Sequence, residues 1–166
     1  FTYDPGSAAV SPMAGVSFFA YGTLRWGVNV ASGDIDGNGR NEIITGAGPG
    51  TVFGPHVRGF TYDPGSAAVS PMAGVSFLAY GTPRQGVVVS AGDVDGDGID
   101  EIITAPGPSA AFGAHVRGWN FDGSELAPIE GLNFFAWPPG VYRHGARISA
   151  RLDLTGNGRA DLLVGP

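Results

Sequence analysis

The chain contains three copies of one acidic segment punctuated by glycine, and this segment constrains the fold more than any other feature. Each copy carries oxygen-bearing side chains at its positions 1, 3, 5 and 9 and then runs into an apolar stretch. The copies are residues 34–45 (DIDGNGRNEIIT), 93–104 (DVDGDGIDEIIT) and, in weaker form, 153–164 (DLTGNGRADLLV). Their first nine residues are called here the first loop (34–42), the second loop (93–101) and the third loop (153–161).

The spacing of the oxygen atoms in these loops suits a hard cation. Proteins bind Ca²⁺ through six to eight oxygens at about 2.3–2.6 Å in a flexible shell. A short loop supplies them if alternate side chains turn inward and the carbonyl of position 7 joins them, while glycines at positions 4 and 6 allow the tight backbone path. The predicted calcium ligands are Asp34, Asp36, Asn38, Arg40 and Glu42; Asp93, Asp95, Asp97, Ile99 and Glu101; and Asp153, Thr155, Asn157, Arg159 and Asp161.

Three other interpretations of the loops are less favoured. An EF-hand has its bidentate Glu at position 12, where this chain has Thr45, Thr104 and Val164. Mg²⁺ demands a stricter octahedron and usually keeps several waters, so Ca²⁺ is preferred. A solvated turn of Asp, Asn and Gly would account for one such loop, but three loops in register favour bound metal.

The whole chain is organised by internal repetition. Residues 1–18 return unchanged as residues 60–77, which sets the period at 59 residues. The copy that starts at Trp119 is divergent, as terminal repeats of an array often are. We predict a single segment of tandem repeats, with repeat 1 at 1–59, repeat 2 at 60–118 and an incomplete repeat 3 at 119–166.

Each period is predicted to contain four short strands. In the first period they cover residues 27–32 before the loop, 42–45 after it, 56–62, and 16–21. Apolar and aromatic runs bounded by Gly, Pro and Asp, with no helical periodicity, indicate an all-β chain. Four strands in about 40–50 residues are typical of a β-propeller blade, and a period of 59 residues leaves room for longer loops.

Residues 26–34 (WGVNVASGD), the first loop and residues 45–49 (TGAGP) resemble the FG-GAP repeat family, also called VCBS repeats. These are the calcium-binding blades of integrin α-subunit propellers and of many secreted bacterial proteins. The resemblance covers essentially the whole chain. It implies blades of four antiparallel strands with a calcium loop between strands 1 and 2, and ligands at positions 1, 3, 5, 7 and 9. The departures are Gln85 and His144 at a Phe position, Glu at position 9 of two loops, and Thr155.

Composition excludes several classes of function. Nine of the fifteen acidic residues are predicted ligands, so the net charge of −6 indicates metal binding rather than a polyanion. All nine basic residues are scattered arginines, which argues against nucleic acid and anionic membranes, and no run is long enough to insert into a membrane. The chain has no cysteine, so calcium would replace disulfides as the staple. We expect a secreted or cell-surface protein, because extracellular calcium fills weak sites.

No catalytic arrangement stands out, so an enzyme is the least favoured class. His56 and His115 occupy matching segments and His144 stands alone, without a second His or Cys at ligand spacing. We expect each to be a strand-entry residue bonded to a neighbouring loop. Six aromatic residues could stack on sugars as in a lectin-like propeller, although packing between blades is preferred. They are Tyr21, Trp26, Tyr80, Trp119, Trp137 and Tyr142.

The two ends of the chain are predicted to be halves of blades. Residues 1–21 read as two outer strands and residues 145–166 as two inner strands, whereas propellers typically have four to eight blades. We therefore expect a piece of a larger propeller or a head-to-tail assembly of copies, such as a surface filament. The predicted function is a calcium-stabilised structural and adhesive module. Its partners would be other blades, copies of itself, surface proteins or glycans, and a carbohydrate-binding propeller is the alternative.

Overall fold

The computed structural model describes residues 1–23, 26–50, 52–81, 84–108 and 113–166. This part of the chain contains strands and no helix, so the predicted all-β class is confirmed. None of it forms a helix long and apolar enough to cross a membrane. The strands are β1 (Thr2–Asp4), β2 (Ala9–Ser11), β3 (Ala20–Thr23), β4 (Val28–Gly33), β5 (Glu42–Ala47), β6 (His56–Asp63), β7 (Ala68–Leu78), β8 (Val87–Gly92), β9 (Glu101–Pro106), β10 (His115–Phe121), β11 (Leu126–Phe135), β12 (Arg147–Leu152) and β13 (Asp161–Gly165).

The strands form two complete antiparallel sheets and two smaller ones. The first sheet has the order β4-β5-β6-β7 and the second sheet the order β8-β9-β10-β11. The third sheet pairs β12 with β13, and β1 pairs with β2. Each acidic loop connects the first two strands of its sheet, as predicted. Among the described residues the sheets do not close into a ring.

One predicted strand is only partly correct. Residues 27–32, 42–45 and 56–62 match β4, β5 and β6 to within two residues at each end, but residues 16–19 lie outside any strand and β3 begins at Ala20. The equivalent residues 75–78 belong to β7, where residues 76–78 pair with residues 56–58 of β6. Among the described residues, no strand pairs with residues 17–19.

The core lies between the sheets. Successive side chains of a strand point to opposite faces, and in β9 both Ile102 and Ile103 are fully buried. Ile102 packs in a cluster with Ile44 of the first sheet, whereas Ile103 packs with Ala150 of the third sheet. The second sheet is therefore covered on both faces, which explains the two consecutive isoleucines after its acidic loop.

Neighbouring sheets approach most closely through their first strands. Strand β8 contacts β4 on one side and β12 on the other. At Gly92, the last residue of β8, a Cβ atom would lie 1.4 Å from the carbonyl oxygen of Ala150 in β12. Only glycine fits this approach, because any side chain would force the two strands apart.

The outer faces of the stack leave open the positions that are buried inside it. Val28 and Val30 of β4 are 47% and 61% exposed, whereas the equivalent Val87 and Val89 of β8 are 0% and 6% exposed. On the opposite side, Leu163 of β13 is 41% exposed at the position of the buried Ile103. Each end of the stack thus presents the apolar surface that another sheet covers in its interior.

A repeated tyrosine fastens the segment before each of the first two complete sheets to that sheet. The hydroxyl of Tyr80 lies 2.8 Å from the carbonyl oxygen of Thr104 and 2.8 Å from that of His115. Tyr21 makes the same two contacts one repeat earlier, at 2.9 Å and 2.8 Å. The tyrosine oxygen also lies close to the threonine hydroxyl in both places.

The pairs Tyr21 with Thr45 and Tyr80 with Thr104 are called here the tyrosine lock. In the third copy both members of the pair are replaced. Trp137 stands where the other copies have tyrosine, and Val164 stands where they have threonine. Neither replacement has a hydroxyl, and Trp137 packs instead with Tyr142, at a ring-centroid distance of 5.3 Å. The tyrosine and threonine are therefore best understood as one structural unit.

We predict that Tyr80→Phe destabilises the fold by about 1–3 kcal/mol, because it removes the single hydroxyl donor shared by two carbonyl oxygens. Urea unfolding followed by circular dichroism measures the change. Tyr3→Phe is the matched control, since Tyr3 is 63% exposed. Equal midpoints for the two variants would show that the tyrosine lock contributes nothing to stability.

Candidate metal centres

The structure brings three carboxylates together in each of the first two loops. One oxygen atom from each carboxylate lies within 4.8 Å of the others. The groups are Asp34, Asp36 and Glu42 in the first loop, and Asp93, Asp95 and Glu101 in the second. Oxygens that share one Ca²⁺ at about 2.3–2.6 Å lie no more than about 5 Å apart, so both groups can hold a metal ion.

The backbone of each loop is folded around the carboxylate at position 1. Asp34 Oδ2 accepts the N–H of Gly39 at 2.8 Å, and Asp93 Oδ2 accepts the N–H of Gly98 at 3.0 Å. The third loop makes the same bond at 2.8 Å. The glycines at position 6 have φ between 82° and 89°, a left-handed conformation that favours glycine. The three loops therefore share one backbone path.

Positions 5 and 7 are joined by a second repeated bond. The side-chain oxygen at position 5 accepts the backbone N–H of position 7 at 2.8–2.9 Å in every loop. The pairs are Asn38 with Arg40, Asp97 with Ile99, and Asn157 with Arg159. This bond fixes the turn on which these residues lie. Their roles as metal ligands remain predictions.

The glutamate at position 9 is the most buried of the predicted ligands in each of the first two loops. Glu42 is 2% exposed and Glu101 is 0% exposed. Glu101 Oε2 accepts the N–H of Val94 at 2.9 Å, whereas the buried Oε1 has no hydrogen-bond partner. A buried carboxylate oxygen without a partner is costly, so this atom marks the place where a cation would complete the site.

The environment of both glutamates disfavours their negative charge. Burial raises the pKa of Glu101 to about 7, and the charges of the nearby aspartates add to this effect, against the N–H of Val94, which lowers it. Burial likewise raises the pKa of Glu42 to about 7, and Asp36 and Asp34 also raise it. A cation bound among these carboxylates would remove the repulsion that the geometry creates.

The third loop keeps the fold but has a smaller charge. Its carboxylates at ligand positions are Asp153 and Asp161, because Thr155 occupies position 3. Asp161 Oδ2 accepts the N–H groups of Leu154 and Thr155 at 2.7 Å and 3.0 Å. The backbone N–H of Gly158 holds the pKa of Asp153 below its usual value. The carboxylates of the third loop thus have hydrogen-bond partners within the loop itself. A metal site in this loop stays a prediction.

Two of the three histidines, His56 and His115, form hydrogen bonds along the sheet. His56 Nε2 lies 2.9 Å from Ser76 Oγ, and His115 Nε2 lies 2.6 Å from Asn133 Oδ1. Both partners belong to the neighbouring strand, so the expected bond to a loop is replaced by a bond within the sheet. Both residues begin their strands, as the sequence suggested.

Most of the six aromatic residues serve packing. Tyr80 and Trp119 are 7% and 8% exposed, and Tyr21, Trp137 and Tyr142 are half-buried. Trp26 is 40% exposed and its ring lies against Gly50. A surface that stacks on sugar would therefore have Trp26 as its exposed ring among these six residues.

No protein-family model and no curated protein matches the chain. The candidate sites are therefore judged by their own geometry. The residue that sequence reasoning missed is Asp100, at position 8 of the second loop, whose carboxylate accepts the N–H of Asp34 at 3.0 Å. Because position 8 lies outside the predicted ligand pattern, nothing in a single loop distinguishes it.

We predict that Glu101→Gln has opposite effects with and without calcium. In excess chelator the variant is more stable than the parent, because it removes a buried charge that lacks a partner. In millimolar Ca²⁺ it is less stable, because a ligand is lost. Melting curves in both buffers test this, with the exposed Glu130→Gln as control. A change in melting temperature of the same sign in both buffers would show that Glu101 is not a metal ligand.

Proposed function

We propose that this chain is a calcium-stabilised β-propeller module with a structural and adhesive role. The observation that carries the proposal is the group of three carboxylates in each of the first two loops, together with the fully buried Glu101, whose Oε1 has no hydrogen-bond partner. The stacked four-stranded antiparallel sheets support a propeller arrangement.

Calcium fits these loops better than other common metal ions. Every side chain at the predicted ligand positions of the first two loops, apart from position 7, offers oxygen, and neither loop contains histidine or cysteine. Oxygen ligands suit hard cations, whereas zinc and copper sites draw on nitrogen and sulfur. A loop with up to four carboxylates and flexible side chains accommodates Ca²⁺ more readily than the strict octahedron of Mg²⁺.

Bound calcium would stabilise the sheet by tying the ends of a loop together. Position 1 follows the first strand of each sheet, and position 9 is the first residue of the second strand. An ion shared by these positions joins the first two strands of the sheet and neutralises the carboxylates between them. Because the ion binds the folded loop and not the unfolded chain, it raises the free energy of unfolding.

The open faces of the stack support association with further sheets of the same kind. Val30 is exposed on one face and Leu163 on the other, and both positions are buried where this chain packs sheet on sheet. We infer that a second copy, or further repeats, covers these faces. A head-to-tail contact closes into a ring if its rotation allows and otherwise extends as a filament.

An extracellular location follows from the same proposal. Sites of this kind in extracellular modules bind calcium at about 10⁻⁴–10⁻³ M, which extracellular fluid fills and the cytosol does not. Because the chain has no cysteine and therefore no disulfide bond, bound calcium would be the cross-link that stabilises the fold. The module would then hold its adhesive surfaces rigid only outside the cell.

We predict that chelation lowers the melting temperature of the chain by at least about 5 °C relative to 10 mM Ca²⁺. Mass action at sites of the class named above gives roughly 1–3 kcal/mol per ion, and each kcal/mol shifts the melting temperature of a chain of this size by about 2–4 °C. Differential scanning calorimetry measures the shift, and Mg²⁺ at equal concentration is the control. An unchanged melt would contradict the calcium proposal.

We predict that the chain in millimolar Ca²⁺ has a light-scattering mass above its monomer mass of 16.9 kDa. Val30→Glu should return the mass toward that of the monomer, because it places a charge on the exposed face of β4. The control is Val141→Glu, which changes a valine that is 80% exposed and lies outside the sheets. A parent protein that stays monomeric at high concentration would refute self-association and leave calcium binding untouched.

A further inference from the structure

The first two loops are bonded directly to each other through one residue. Asp100 Oδ2 accepts the backbone N–H of Asp34 at 3.0 Å, and the N–H of Asp100 donates to the carbonyl oxygen of Asp34 at 2.9 Å. Asp34 is position 1 of the first loop. Asp100 lies in the second loop between Ile99 and Glu101, which are positions 7 and 9. A ligand of one site is thus held by the neighbour of two ligands of the other.

A second contact joins the same two loops. The side chain of Ile99 packs over Gly37, where a Cβ atom would lie 3.2 Å from two of its carbon atoms. Position 7 of the second loop therefore rests on position 4 of the first. Two separate contacts join the loops, so a change in the backbone conformation of one loop alters the position of the other.

The second and third loops offer an internal comparison. Ala160, the equivalent of Asp100, donates its N–H to the carbonyl oxygen of Asp93 at 2.6 Å. The side chain of Arg159 lies over Gly96, as Ile99 does over Gly37. The backbone contact is therefore repeated, but alanine has no carboxylate to accept the N–H of position 1. The carboxylate bond distinguishes the junction between the two loops in which three carboxylates come together.

The third sheet also reaches this junction. Arg151 of β12 donates to the carbonyl oxygen of Ser32 in β4, and its guanidinium lies 3.9 Å from Asp100 Oδ2. The arginine side chain is 49% exposed, so the ion pair itself contributes little to stability. Its contribution is to place a further donor group beside the carboxylate of Asp100, between the first two sheets.

We propose that the first two loops bind calcium with positive cooperativity and that Asp100 is the positioning residue that couples them. This inference rests on the proposed calcium function of the loops. An ion in the first loop fixes Asp34, whose N–H and carbonyl group hold Asp100. Asp100 in turn fixes its neighbours Ile99 and Glu101 for the second ion. Binding of the second ion therefore loses less conformational entropy. Coupling of this kind is reciprocal.

Nuclear magnetic resonance of the intact protein can follow each loop separately. The amide protons of Gly39 and Gly98 donate to Asp34 and Asp93, so their shifts report calcium in the first and second loop, respectively. We expect Asp36→Ala, which disables the first loop, to raise the half-saturating Ca²⁺ concentration at Gly98 by about fivefold or more. Asp95→Ala should raise the value at Gly39 by the same factor.

Variants of Asp100 test the route of the coupling. In an Asp100→Ala background, Asp36→Ala should change the half-saturating concentration at Gly98 by less than about twofold, because the side-chain bond between the loops is gone. In an Asp100→Asn background the full shift should return, since the amide oxygen can still accept the N–H of Asp34. A full shift in the alanine background, or none in the asparagine background, would overturn the role of Asp100.

The outcomes separate the coupling from calcium binding itself. If Gly39 and Gly98 both titrate with Ca²⁺ but Asp36→Ala leaves Gly98 unchanged, the loops are independent and this inference is wrong. If neither amide responds to Ca²⁺, the proposed calcium function fails as well. If Asp100→Ala does not fold, comparing the parent with Asp36→Ala still tests the coupling between the loops. The role of Asp100 is then tested in the Asp100→Asn background, where loss of the shift at Gly98 would overturn it.

Discussion

The crowding of carboxylates between the first two strands of a sheet is the constraint on which the rest of this structure depends. Glu101 is buried beside Asp93 and Asp95, and its free oxygen faces no donor among the described residues. Like charges so close together disfavour the ionised form of Glu101, and a cation among them would remove that repulsion. The same loop turns the chain from the first strand into the second, so the charge balance and the geometry of the sheet are set at one place.

The stacking of sheets follows from the repetition of that unit. A sheet whose second strand is apolar on both faces cannot be stable alone, and here Ile102 and Ile103 are covered by different neighbours. Because every acidic loop joins the same two strands of its sheet, stacking the sheets also stacks the loops, which brings Asp100 onto Asp34. The contacts between the loops are thus a consequence of the sheet packing and not an additional device.

Much of this could be read from the sequence. The alternate oxygens of the loops and the glycines at positions 4 and 6 predicted where each loop lies, between the first two strands of its sheet. The bonds of Asp100 could not be predicted, because they depend on how far one sheet is rotated against the next. The predicted strand at residues 16–21 was partly wrong, because a β-strand forms against a pairing strand and residues 16–19 have none among the described residues. The tyrosine lock had a signal, since Trp137 and Val164 replace both of its members together.

Native mass spectrometry, after exchange into a volatile calcium buffer, counts the calcium ions that the folded chain holds. We expect at least two calcium ions on each chain of 16.9 kDa. We also expect the double variant Glu42→Gln, Glu101→Gln to carry two fewer ions than the parent. A parent chain without bound calcium, or a double variant with the same number of ions, would show that these loops are not calcium sites.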